Sequence, residues 1–97
     1  MTNLKAINVG PVLVASELGR AMAEVICDEN ADAVVTDRGS YLRILVPSRC
    51  TLTRSRLEAA LQRRIAFPSD LEPALVSFKG AFEVDSERAC WHARGSE

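Results

Sequence analysis

Between residues 16 and 28 the apolar side chains Leu18, Ala21, Met22, Val25 and Ile26 recur at i, i+3, i+4, i+7 and i+8. That spacing is the stripe of an amphipathic helix. Ser16 stands where an N-cap belongs, and Glu17 in the first turn, where the helix dipole favours an acid. At about 100° per residue, Cys27 falls opposite Met22, on the solvent side. "DENAD" (28–32) then breaks the helix near Asp28.

The remaining segments follow other periods. "VGPVLV" (9–14) is β-rich, and Pro11, having no backbone donor, belongs near a strand start or on an edge. "AVVTD" and "YLRILVP" read as strands around the turn "DRGS", in which Gly39 is free to take positive φ. The second of these sets Leu42, Ile44 and Val46 on one face and Tyr41 and Arg43 on the other; Pro47 stops it. "LTRSRLEAALQRR" is a second, shorter helix, with Thr53 as N-cap and Leu52 stapled onto Leu57. Leu57, Ala60 and Leu61 supply its buried stripe. "FPSDLEP" is irregular or a single turn. A long strand, "LVSFKGAFEV" (75–84), then turns at "DSE" into "RACWHA" (88–93). The order is β-α-β-β-α-β-β. Hairpins dominate the connections, which predicts an α+β domain with largely antiparallel sheet and two helices on one side.

Gly80 interrupts the long strand between Phe78 and Phe82. A glycine in a strand marks either a bulge or a place where another backbone comes close. The two readings differ in one consequence. If the gap serves docking, Gly80→Leu folds and fails to act; if it is a bulge, the leucine costs stability.

Composition narrows the class. Ninety-seven residues make one domain, 1–97, in which residues 1–7 form a short mobile arm. The stiff Gly10-Pro11 pair joins that arm to the first strand. Hydrophobic residues are 47% and charged residues 26%, an ordinary globular balance. Twelve basic against thirteen acidic residues leave a net charge of −1, which argues against nucleic acid or an anionic membrane as partner. No apolar run approaches the ~20 residues of a bilayer span, and the N-terminus lacks the apolar stretch of a signal peptide. A cytoplasmic protein is the expectation.

Candidate chemistry is sparse. Cys27, Cys50 and Cys90 are odd in number and widely spaced, neither a disulfide framework nor a zinc site. His92 and Cys90 share a strand face, but no further ligand or orienting group stands near them in sequence. "DENAD" fails as a calcium loop, since Ala33 occupies the glycine position and Gly39 the glutamate position. No phosphate-binding glycine loop and no G-x-S-x-G is present. The chain does not read as an enzyme. Arg54 and Arg56 sit in the first turn of the second helix, where the dipole disfavours cations. Either Arg54 pairs with Glu58 one turn on, or both guanidinium groups await carboxylates of a partner.

Taken in order, "NVGPV", "VVTDRGSYLRI", "LTRSRLEAALQRRIAF" and "LVSFKGAFEV" resemble the MmoB/DmpM family, the effector or coupling proteins of bacterial multicomponent di-iron monooxygenases. The likeness runs from about residue 8 to residue 92 and is strongest to effectors of toluene, phenol and alkene monooxygenases. It implies a cofactor-free, non-catalytic protein, monomeric when free, that docks on the α-subunit of a hydroxylase. There it increases turnover and the coupling of NADH and oxygen use to oxidation of an aromatic or alkene hydrocarbon. Matched through the glycine, the family's contact strand falls on Ala74, Val76, Ser77 and Phe78, with Gly80 letting the strand lie close to the partner. Asn8, Val9 and Gly10 match a second contacting segment. Arg38, Arg54 and Arg56 join these on charge alone. One departure is "LQRR", where relatives often have a Leu-Gly-Arg step. A metabolite-binding regulatory domain of ferredoxin-like type is the competing reading, testable by a ligand-dependent thermal shift. Single-stranded RNA binding would call for a basic, aromatic-rich sheet face, which the composition does not offer.

Overall fold

The structure, a computed structural model, describes residues 7–94. Among them the elements run β1 (Asn8–Val14), α1 (Glu17–Glu29), β2 (Val34–Asp37), β3 (Tyr41–Pro47), β4 (Arg49–Thr53), α2 (Arg54–Leu61), β5 (Leu75–Lys79), β6 (Ala81–Val84) and β7 (Arg88–His92). A single 3-10 turn, Ser69–Leu71, precedes β5. All strand pairings are antiparallel, and α1 packs on α2, β4 and β3. The α+β expectation holds. Of the arm expected over 1–7, only Ile7 lies within the described residues, and its carbonyl accepts from Ser48 N at 2.7 Å.

Two sheets form, ordered β2-β3-β1-β5 and β4-β7-β6. This corrects the sequence reading twice. Residues 49–53, of which Leu52 and Thr53 read in sequence only as the lead-in to the second helix, are a strand paired with β7. The expected long strand 75–84 is two strands in different sheets. Both corrections have one cause: the chain changes sheet at a corner, and each corner needs a residue with positive φ. Ser48 (φ 68) links β3 to β4, and Gly80 (φ 100) links β5 to β6. Strands that switch sheets through such bends are how two sheets share a core.

Strand alternation places the core. Val9 opposes Val46 and Leu13 opposes Leu42 across β1 and β3, and all four are buried against Met22, Val25 and Ile26 of α1. Ser16 caps α1 as expected, accepting from Gly19 N at 3.1 Å, and Cys27 is exposed. At the other end of α1, Asn30 does more than break the helix. Its amide donates to the Ile26 carbonyl (2.7 Å) and the Thr51 carbonyl (2.9 Å) and accepts from Thr51 N (3.1 Å). Beside it, Glu29 accepts from Thr53 N (3.0 Å) and from the Thr53 hydroxyl (2.9 Å). These bonds tie β4 to the helix end. They also divert Thr53, which holds the N-cap position of α2 without a capping side-chain bond. The α2 stripe is narrower than expected: Leu57 is buried, Leu61 is half-buried and Ala60 is exposed.

An aromatic stack closes the seam between the sheets. Phe78 of β5 and Phe82 of β6 have ring centroids 5.3 Å apart, and Phe82 stacks on the fully buried Trp91 at 5.0 Å. Offset aromatic contacts at this range contribute about 0.5–1.5 kcal/mol each beyond their burial.

Candidate functional site

No catalytic constellation is assembled among the described residues. Among the described residues no group of three or more His, Cys, Asp or Glu could hold a metal ion. Burial pushes the Cys50 thiol up to about 12, so it is a protonated core side chain rather than a nucleophile. Cys90 is buried, and His92 lies 3.3 Å from the exposed carboxylate of Glu83. The largest hollow, about 640 Å³, opens beside α2 between Arg54, Glu58, Arg64, Ile65 and Asp70. Its polar groups are largely occupied with one another. Glu58 accepts from Ile65 N (3.0 Å) and from Arg54 (2.9 Å), and Asp70 from Ala66 N (2.7 Å).

The four-stranded sheet differs. One side is the core; the other is covered by no described element. Register decides which side chains stand on this open side, because directly paired residues share a face. Asn8, Gly10, Val12 and Val14 of β1 lie there, flanked by Tyr41 and Arg43 of β3. Ser77 opposes Val12 and Lys79 opposes Gly10 from β5, while Val34 and Thr36 extend the face along β2. A register shift between Val12 and Leu13 puts one extra residue into β5, leaving Val76 58% exposed; Val34 reaches 62%. These two exposed valines stand on the opposite edge strands, β2 and β5, and bracket the open side.

Gly10 shapes the centre of that face. Its φ is +148, and a Cβ there would strike the Ile44 carbonyl oxygen. The backbone of β1 therefore lies against that of β3 with no side chain of its own above it, and Gly10 is itself buried between its neighbours. The result is a hollow of about 270 Å³ whose lining includes Gly10, Val12, Arg43, Leu45, Ser77 and Lys79, with Phe78 at its edge.

The residues singled out from sequence separate into three groups. Asn8, Gly10 and Ser77 come together on adjacent strands of the open side, Val76 is exposed at the bulge of β5 beside them, and Arg38 is exposed at the β2–β3 turn. Val9 and Ala74 are buried in the core, the latter accepting from Val14 N at 2.8 Å. Phe78 is 43% exposed but turns toward the aromatic stack.

Gly80 belongs to the fold. A Cβ at that position would lie 2.6 Å from the His92 carbonyl oxygen and 2.8 Å from Val9 Cγ1, with φ at +100. The gap between the phenylalanines is thus a sheet corner, and a leucine there does not fit. Arg54 and Arg56 sit away from the open side. Arg54 is bound to Glu58 (2.9 Å), Glu87 (3.1 Å) and the Ser86 carbonyl (2.7 Å), and Arg56 is exposed 3.9 Å from Glu29. Sequence reasoning assigned no role to Arg43, Leu45, Tyr41 or Lys79. The signal for the β3 members was the alternation of "YLRILVP", which had already put Tyr41 and Arg43 opposite the core.

Similar proteins agree on one grouping. The profile of the MmoB/DmpM family matches residues 7–92. The alkene monooxygenase system effector subunit of Xanthobacter autotrophicus is 33% identical over 86 residues, 87% of this chain and 84% of that protein. Two solved structures of phenol hydroxylase–regulatory protein complexes share the fold. One has a TM-score of 0.81 at 21% identity, covering 89% of this chain and 98% of the other. The second has a TM-score of 0.77 at 23% identity, covering 89% and 99%. With the family profile spanning nearly the whole described chain, this protein belongs to the MmoB/DmpM family.

Proposed function

We propose that the chain is a non-catalytic effector of a multicomponent monooxygenase, docking on the α-subunit of a di-iron hydroxylase in the cytoplasm as a single 1–97 domain, monomeric when free. In this role it raises turnover and the coupling of NADH and oxygen use to oxidation of an alkene or aromatic hydrocarbon. The observation that carries this reading is the 33% identity, over most of both chains, to a protein named as an alkene monooxygenase effector subunit. A scaffold with no catalytic cluster among its described residues and one open sheet side suits the task. Such an effector acts as a ligand with higher affinity for one conformation of the enzyme. The contacts fall on Asn8, Gly10, Val76 and Ser77, with Phe78 and Arg38 at the margins. Val9, Ala74 and Gly80 hold those contacts in place.

The test is reconstitution. Hydroxylase, reductase and any ferredoxin encoded beside this chain are combined, and the chain is titrated in while NADH consumption and oxidised product are followed together. Product per NADH rises and saturates near one chain per active site. No change in either quantity up to ~100 μM, well beyond the micromolar affinities of ordinary complexes, overturns the proposal.

A further inference from the structure

The formal net charge of −1 conceals a strong asymmetry. Among the outward positions of β1, β2, β3 and β5 there is no Asp or Glu, whereas Arg43 and Lys79 both stand there and Arg38 adjoins them at the β2–β3 turn. Asp37, at the end of β2, faces the other way and pairs with Arg20 of α1 at 3.2 Å. The other exposed acids also lie off these positions, on α1, in the loops before β2 and β5, on β6 and in the β6–β7 turn, and the helices carry exposed cations of their own, Arg20 and Arg56. Among the described residues neither Arg43 nor Lys79 makes an ion pair, although Arg20, Arg54 and Arg56 each lie within 4.0 Å of a carboxylate. The two cations flank the Gly10 hollow from opposite neighbouring strands, their backbone positions about 12 Å apart by two strand spacings and a two-residue offset along β1.

We infer that this cation-rimmed hollow is built to receive carboxylates, so that the surface docked on the open sheet side is acidic. The inference rests on the effector reading, which supplies the hydroxylase as the occupant. The apolar floor of Val12 and Leu45 excludes water as the partner seats. Arg43 and Lys79 then meet Asp or Glu side chains at the edges, where complementary charge sets registry and speeds encounter more than it adds raw affinity. Arg43 is suited to grip a carboxylate with two parallel bonds, and Lys79 acts as a point charge.

The experiment measures binding of the full chain to the hydroxylase assembled from its own operon, at about 50 and 300 mM salt. An exposed, unlike-charge contact is screened over this range, so wild-type affinity falls roughly ten-fold. The Arg43→Glu/Lys79→Glu double variant binds about 30-fold or more weakly at low salt, with unchanged circular dichroism and Tm. The milder Arg43→Gln/Lys79→Gln variant loses about three- to ten-fold and most of its salt dependence. Arg49→Glu/Arg63→Glu, an equal change of charge away from the open side, stays within about two-fold. If the double reversals on the two surfaces weaken binding alike, or neither does, the inference is overturned while the effector reading stands. A wild-type chain that fails to bind the hydroxylase at all overturns both.

Discussion

Arg54 and Arg43 are both arginines on short amphipathic elements, and the fold gives them opposite surroundings. Arg54 opens α2 and is enclosed by Glu58, Glu87 and the Ser86 carbonyl, so its guanidinium fastens the helix to the β6–β7 turn. Arg43 lies in mid-strand, opposite Thr36 on one side and Val12 on the other, and its charge faces solvent. The lesson is that a cation's availability is set by what its neighbours need. Near α2 the backbone turns tightly and leaves donors and acceptors to be satisfied. On a flat sheet the ladder satisfies the backbone, and side chains stay uncommitted. The α2 side is a place where polar groups hold the fold; the open side of the four-stranded sheet is where they are left for a partner.

The sharpest test of that division is Gly80→Leu. The substitution forces a branched side chain into His92 and Val9 at a left-handed corner. It should cost on the order of 3 kcal/mol or more, seen as a large fall in the denaturation midpoint. A leucine variant with wild-type stability and lost stimulation would move Gly80 from the fold to the docking surface.

A smaller effect separates the two arginines directly. Arg54→Ala should lower Tm by a few degrees at pH 7, and Arg43→Ala should leave it within about one degree. Acid distinguishes them further. The Ile65 amide, and then Arg54, hold the Glu58 carboxyl below its ordinary range. A lowered folded pKa adds stability that is present above the ordinary glutamate range and lost as pH falls through the folded value. The gap between wild type and Arg54→Ala should therefore narrow below about pH 4, while Arg43→Ala tracks wild type throughout. Equal gaps at pH 7 and pH 3 in thermal melts would show that Arg54 does not act through its carboxylates.

The smallest expected effect has the opposite sign. Gln62 ends α2 in the left-handed conformation, φ 56, which glycine adopts without steric cost. Gln62→Gly removes the Cβ strain and should stabilise by about 0.5–1 kcal/mol. It should leave docking unchanged, because α2 lies away from the open side. A loss of stability in urea melts would mean the glutamine side chain makes a compensating contact.

These cases also show how far the chain could be read unaided. Helix α1, the β2–β3 hairpin and the turn into β7 were legible because each is fixed by local chemistry. A capping serine, a Gly at a turn and a clean apolar period act within a few residues. β4 was not legible. Its pairing with β7 is held by residues some forty positions away and by the Asn30 and Glu29 side chains of α1. The candidate site was half legible. Alternation placed Tyr41 and Arg43 opposite the core, and the family likeness pointed to Asn8, Gly10, Val76 and Ser77. Nothing local said that β5 lies beside β1, which is what brings Ser77 and Lys79 to the Gly10 hollow.

By itself, then, the sequence determined the two helices and most of the strands, the α+β class, the buried faces of α1 and β3, and the absence of a recognisable catalytic motif. Each depends on periodicity and residue chemistry over short spans. Only the tertiary structure decided that the strands divide into two sheets with corners at Ser48 and Gly80. It alone decided that Arg54 is committed and Arg43 is not, and that Arg43 and Lys79 share a sheet face whose outward strand positions carry no acid. Those outcomes turn on which distant segments become neighbours, a matter of long-range pairing and close packing that no local pattern encodes.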